Sequence, residues 1–409
     1  MAVRIHVYNR PPKEQTVNKS APDTSEIVAQ AVSGLGFSYG AKPALADVSF
    51  NIAAGPFKVL LGPSPGPITQ MSITATSGKA AEMMKPWGYA LLVGMLLTAA
   101  APDAATAGSG QIYVTNEKSS TISVLDIATS KVTRSFKTCR RPRGIHFSKD
   151  RKQFYVGCAD DNVIVVYETA TGKLIKRIRG IEEPETFDLS PDGKTLYVSN
   201  EEDATATFVD VASGKVFAEV ETGEEPEGVQ VTADGSTVYV ASEAANLVHV
   251  IDTETAKVTA DIVVGTRPRR FALTPDEKEL WVSAELAGQV DIIDTRTNRT
   301  TGDIVFKPTG FRRNEVTPVD VLMTADGKTA FVALGRANRV AVVDVASRQV
   351  TDYILVGKRP WGLALSRDDK TLYVANGLSD DISIIDVASR KALKSVPVGM
   401  VPYGILIDD

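Results

Sequence analysis

Residues 226–267 read PEGVQVTADGSTVYVASEAANLVHVIDTETAKVTADIVVGTR. Apolar and polar residues alternate there in four short runs, predicted as strands over Glu227–Thr232, Thr237–Ala241, Leu247–Asp252 and Lys257–Val264. The links are short and turn-forming, Ala233-Asp234-Gly235-Ser236 and Thr253-Glu254-Thr255-Ala256, so neighbouring strands run antiparallel. Val, Ile, Thr and Tyr dominate the runs, and no segment keeps a 3.6-residue period, which disfavours a helical repeat.

The same phrase recurs on both sides. Its proline falls at Pro142, Pro184, Pro226, Pro268, Pro318, Pro360 and Pro402, in steps of 42, 42, 42, 50, 42 and 42. The acidic residue closing the third strand falls at Asp126, Glu168, Asp210, Asp252, Asp294, Asp344 and Asp386, with the same steps. Seven units of four strands define an all-β chain, a seven-bladed β-propeller of four-stranded antiparallel blades. The array opens at Gln111–Asn116, which matches a second strand, and closes at Tyr403–Ile407, which matches a first. The C-terminal strand is therefore expected to complete the first blade and seal the ring, removing open sheet edges.

Composition narrows the function classes. Three histidines, His6, His146 and His249, are too scattered for a multi-histidine metal or haem site, and both later ones are expected to pack inside blades. Net charge is −5 with no basic stripe, which argues against nucleic acid as a partner. No cofactor and no metal site is expected. Two cysteines exclude a zinc ribbon. Cys139 precedes the first strand of blade 2 and Cys158 ends its second, so antiparallel pairing brings both to one rim, as a disulfide in an oxidising compartment or as free thiols otherwise.

The N-terminal extension is expected to be largely irregular. Residues 1–32 are polar and patternless, a disordered leader. Over residues 33–82, an alternating strand at Asp47–Ile52 and a short one at Phe57–Leu61 run into Gly62-Pro63-Ser64-Pro65-Gly66-Pro67. The run from Gly34-Leu35-Gly36-Phe37-Ser38-Tyr39-Gly40 to that turn resembles the start of an ABC-transporter ATPase. The resemblance implies an aromatic stacking on adenine at Tyr39 and a phosphate loop after Gly62. Three prolines stand there instead, with no N–H to offer phosphate and no Gly-Lys-Ser/Thr following, so the segment reads as truncated and inactive. In residues 83–107, Lys85, an apolar centre Ala90–Leu97 and Ala105-Thr106-Ala107 form a signal-peptide pattern, too short for a membrane span. With Met83 or Met84 as the translation start, the propeller of residues 108–409 is periplasmic, with no stable membrane span once the segment is cleaved.

The phrases Ile112-Tyr113-Val114-Thr115-Asn116, Leu196-Tyr197-Val198-Ser199-Asn200 and Leu372-Tyr373-Val374-Ala375-Asn376 resemble the YVTN-type β-propeller repeat family. The longer unit between blades five and six, Glu225-Pro226-Glu227-Gly228, Phe331-Val332-Ala333-Leu334-Gly335 and Asn338–Asp344 are similar to propellers associated with PQQ-dependent alcohol catabolism, whose genes neighbour those of ABC transporters. That resemblance implies an accessory binding protein, partnered by a quinoprotein dehydrogenase or an ABC-transporter component.

Strand direction places candidate residues. The residues after the repeat prolines, Arg143, Glu185, Glu227, Arg269, Trp361 and Tyr403, are expected at the channel mouth. Loops between second and third strands carry Glu117, Asp160, Glu201, Glu243 and Glu285 to the same rim, where variable loops favour function. The long interval adds Phe311, Arg312 and Arg313, able either to meet an anionic partner or to form inter-loop salt bridges. No catalytic residues are assigned. A lactonase-like hydrolase is the alternative, with Glu185 and Glu227 sharing a proton or a cation. An ATP-binding transport subunit is the second alternative.

Overall fold

The computed structural model describes residues 108–409 in full and 30–39 and 42–52 as backbone. The chain divides into two compact units, one ending at Thr106 and the other spanning Ala107–Asp409.

In the second unit, seven four-stranded antiparallel sheets follow one another. Blade 4 contains Pro226–Val231, Thr237–Ser242, Leu247–Asp252 and Lys257–Val263, within a residue of the sequence expectation at every bound. Blade 1 is composite: its innermost strand is Pro402–Asp408, paired with Gln111–Asn116 from Gln111↔Asp408 to Asn116↔Pro402. This pairing closes the ring.

The acidic ruler has a local cause. Asp126 Oδ1 accepts the Thr129 N–H at 2.8 Å, and the same bond recurs at Asp210, Asp252, Asp294, Asp344 and Asp386. Each caps the turn that leads into the fourth strand, the aspartate side chain holding a backbone N–H three residues on. The first hairpin of a blade has a matching device, as at Ser190, whose Oγ donates to Asp192 Oδ1 at 2.7 Å. The proline ruler marks a strained corner. The residue before each repeat proline has φ between 43 and 61°, a region disfavoured for any side chain and more so before proline. Its carbonyl is held in all seven blades by the N–H that follows the second strand, for instance Glu201 N–H to Glu183 O at 3.2 Å and Glu243 N–H to Glu225 O at 2.8 Å.

Apolar side chains pack between adjacent sheets, where Trp281, Phe154, Phe208 and Phe331 are fully buried. Second and third strands are buried along nearly their whole length, whereas fourth strands alternate. The inner pair faces a neighbouring blade on each side, and the fourth strand lies on the outer wall. Cys139 and Cys158 are disulfide-bonded, with Cα atoms 5.8 Å apart. The bond ties the entry of blade 2 to the end of its second strand, and a loop of this size contributes about 3 kcal/mol by restricting the unfolded chain.

In the first unit, the strand expected at Asp47–Ile52 is present and has a partner. Gln30–Tyr39 and Lys42–Ile52 form an antiparallel hairpin, so Gly34–Tyr39 is strand and the second strand begins before Asp47. The leader before residue 30, the strand at Phe57–Leu61, the proline-rich turn and the signal-like segment lie outside the described residues. Among the described residues, no helix is long and apolar enough to cross a membrane.

Candidate functional site

The channel mouth gathers the charged residues named from the sequence, but it pairs them. Glu185 is fully buried between Arg143 and Arg141, the latter at 3.1 Å. Glu227 meets Arg269 at 3.0 Å and Arg270 at 3.2 Å, and accepts the Tyr403 hydroxyl at 2.8 Å. The expected proton- or cation-sharing pair of Glu185 and Glu227 is thus replaced by two carboxylates with their own guanidinium partners. Burial works to raise Glu227, but the field of Arg269, Arg143 and Arg270 overrides it and holds the carboxyl well below the usual range.

The five loop acids follow the same logic. Glu117, Asp160 and Glu201 converge on Arg141 at 3.4, 3.8 and 3.7 Å. Glu243 meets Arg267 at 2.7 Å and Arg269, and Glu285 meets Arg359 at 2.8 Å and Arg269 at 3.1 Å. Glu243 and Glu285 are buried rather than displayed on the rim. Burial and the Glu227 charge push Glu243 up to about 7. The guanidinium groups of Arg359 and Arg269 lie 4.7 and 5.1 Å from the Trp361 ring, and Arg143 covers Tyr403 at 4.5 Å. Arg143, Glu185, Glu227, Arg269 and Tyr403 are each at most 6% exposed, so this ring fills the mouth.

Carboxylate oxygens of Glu183, Glu185 and Glu201 lie within 4.8 Å of one another, the spacing of a cation site. Arg141 pairs with all three, so a guanidinium already supplies the positive charge. The sequence reading missed Arg141, Glu183, Arg267 and Arg359, which stand one residue before the repeat prolines. Repeat phase was the available signal, applied only to the residue after.

The long fifth connection is clasped onto its blades. Phe311 packs against the core between blades 5 and 6, under the Arg339 guanidinium at 5.2 Å. Arg313 donates to the Ala287 carbonyl at 2.6 Å. Neither Arg312 nor Arg313 makes an ion pair among the described residues, and Arg312 is exposed. Packing of Phe311 and hydrogen bonds from Arg313 to neutral acceptors, not the inter-loop salt bridges offered as the alternative, hold this connection.

His249 lies inside blade 4, as expected, in a Ser-His-Asp arrangement: Nδ1 is 2.6 Å from Asp261 Oδ1, and Nε2 is 3.0 Å from Ser242 Oγ. Nε2 also accepts the Gly223 N–H at 2.8 Å. That bond occupies the lone pair a general base needs, and Ser242 is fully buried, so the trio fastens the blade entry instead of performing acyl transfer. His146 departs from expectation. It lines the central channel, its ring 5.1 Å from Phe187, beside Asp188.

Below the filled mouth the channel opens into a cavity of about 360 Å³, lined by His146, Asp188, Gln230, Arg270, Asp320 and Trp361 among others. A second hollow, of about 570 Å³, shares Asp188, Gln230 and Leu322 with it and extends to Pro191, Pro275 and Ala325 in the turns of the opposite rim. The cavity therefore opens toward the rim that the sequence reading set aside. Burial pushes Asp320 up to about 6.

Comparison with known proteins matches this architecture. Residues 90–200 match the model of the YNCE-like β-propeller family, and residues 204–388 match that of the choice-of-anchor I domain. The chain is a β-propeller repeat protein. No curated protein sequence matches it. Among solved structures, the propeller resembles the periplasmic gluconolactonase of Pseudomonas aeruginosa at TM-score 0.63 and 22% identity, covering 73% of this chain and 99% of that one. A putative 6-phosphogluconolactonase from Bacteroides uniformis gives TM-score 0.61 at 14% identity, covering 72% and 98%. Kuenenia stuttgartiensis hydrazine synthase gives 0.58 at 22%, covering 64% and 88%. At these identities the likeness is one of fold.

Proposed function

We propose that this propeller is a binding protein rather than a catalyst, docking a protein partner on the rim that carries the filled mouth. The observation supporting this reading is a bias in that rim's exposed charge. Asp160, Glu202, Asp203, Glu224 and Glu225 project from blades 2 to 4 beside a single exposed base, Arg140, whereas Arg312, Arg313, Arg336 and Lys358 project from blades 5 to 7 beside Glu315 and Asp380. Such a bipolar face orients a complementary partner during encounter and penalises the wrong orientation. In this reading the chain is exported to the periplasm, and the partner is a quinoprotein dehydrogenase or an ABC-transporter component.

The test is purification from the native cell envelope with N-terminal sequencing, comparing wild type with Glu202→Lys/Glu224→Lys. A mature start near Gly108 and a co-purifying partner lost on charge reversal support the proposal. A start at Met1 or Ala2 removes the export part, and unchanged co-purification removes the docking part.

A lactone hydrolase is the second reading, favoured by the fold likeness to gluconolactonases. Glu185 and Glu227 are buried and each engaged by guanidinium groups, so catalysis would use the channel cavity. Turnover of aldonolactones by the purified propeller would favour it.

A further inference from the structure

The cavity beneath the filled mouth carries polar capacity that the fold leaves unfilled. Asp320 accepts the Leu363 N–H at 2.8 Å and the Val321 N–H at 3.0 Å. A carboxylate has about four lone-pair positions, so further donors are wanted there. Asp188 accepts from Leu189 N–H at 2.8 Å, Val231 N–H at 3.0 Å and Gln230 Nε2 at 3.2 Å. Arg270 uses Nη2 on Glu227 and Tyr403, while its Nε and Nη1 make no hydrogen bond among the described residues. The His146 ring nitrogens likewise have no hydrogen-bond partner among the described residues. Trp361 adds an aromatic wall.

Acceptors and donors thus line one open-ended cavity at the small end of the ligand-pocket range. Two carboxylates repel an anion. The cation place beside them is taken by Arg270, whose positive charge acts on Asp320. The chemistry left is that of a molecule offering many hydroxyl groups, each both donor and acceptor, with a C–H face for the indole. We propose that the channel cavity binds a compact, uncharged polyhydroxylated molecule of six-carbon size, entering from the rim of the Pro191 and Pro275 turns. This site is independent of partner docking on the other rim, and either can fail alone.

The test uses sorbitol and glucose as neutral probes and gluconate as the anionic counterpart, read by titration calorimetry and by Trp361 fluorescence. Saturable binding of a neutral probe at millimolar or lower concentration is expected, with gluconate at least about tenfold weaker. Asp320→Asn and His146→Gln should each weaken the neutral probe by about tenfold, the value of one hydrogen bond to a charged or buried group. His146→Gln has no hydrogen bond to break, and so reports on the site even if Asp320→Asn misfolds. Lys391→Ala, on the outer wall, should change nothing. Failure of both neutral probes to bind, tighter binding of gluconate, or binding indifferent to both variants would overturn the proposal.

Discussion

The two ends of the channel are built from the same seven strands, yet they solve the problem of buried charge in opposite ways. At the mouth, the residue after every repeat proline but Pro318 is charged or aromatic, and side chains from neighbouring blades neutralise one another, as Arg269 does for Glu227, Glu243 and Glu285. Deeper along the strand, Asp188 and Asp320 are held by backbone N–H groups of their own and the next blade, and retain capacity for something else. Side-chain pairing closes a space, whereas backbone pairing leaves polar atoms facing into it. A propeller can therefore be sealed at one end and receptive at the other without any change in fold.

The largest test of this contrast is Arg269→Met. It takes one guanidinium from three buried carboxylates, leaving Glu227 with Arg270, Glu243 with Arg267 and Glu285 with Arg359, and the expected loss is about 3–5 kcal/mol, read as a lower urea midpoint at unchanged slope. A loss below about 1 kcal/mol would mean that water, not arginine, solvates the mouth.

A smaller effect is expected at Asp320. Its pKa of about 6 lies above the ordinary 3.8, so the folded state holds the proton more tightly than the unfolded state. Its contribution to stability is complete below pH 3.8 and is lost as pH rises through 6. Wild type should lose about 3 kcal/mol relative to Asp320→Asn between acid and neutral pH, measured as the difference between their stability profiles. Parallel profiles would place a hydrogen-bonded anion there at all pH values.

Arg312→Ala is expected to have the smallest effect, a change within about 0.5 kcal/mol. A larger loss would show that the long connection, like the mouth, is held by its charges.

Much of this was legible in the residues themselves. The blade count, the strand bounds in blade 4 and the closing strand follow from period and alternation, because the turn chemistry at Asp126, Asp252 and Asp386 acts within four residues. The place of Cys139 beside Cys158 follows from antiparallel register in the same way. His146 and His249 show where such reading ends. Both occupy strands, but one faces the channel and the other fastens Gly223 within its blade. Glu185 and Glu227 were placed at the correct mouth, but their partners come from residues 42 positions or more away, such as Arg143 and Arg269.

The sequence by itself determined the repeat, the number of blades, the closure of the ring and which rim each loop joins, since these depend on local hydrogen bonds and a two-residue side-chain period. The tertiary structure alone decided which charges cancel, which mouth is filled and where a polar cavity remains. Those outcomes depend on distances between side chains on different blades, and on how much water the closed ring excludes from them.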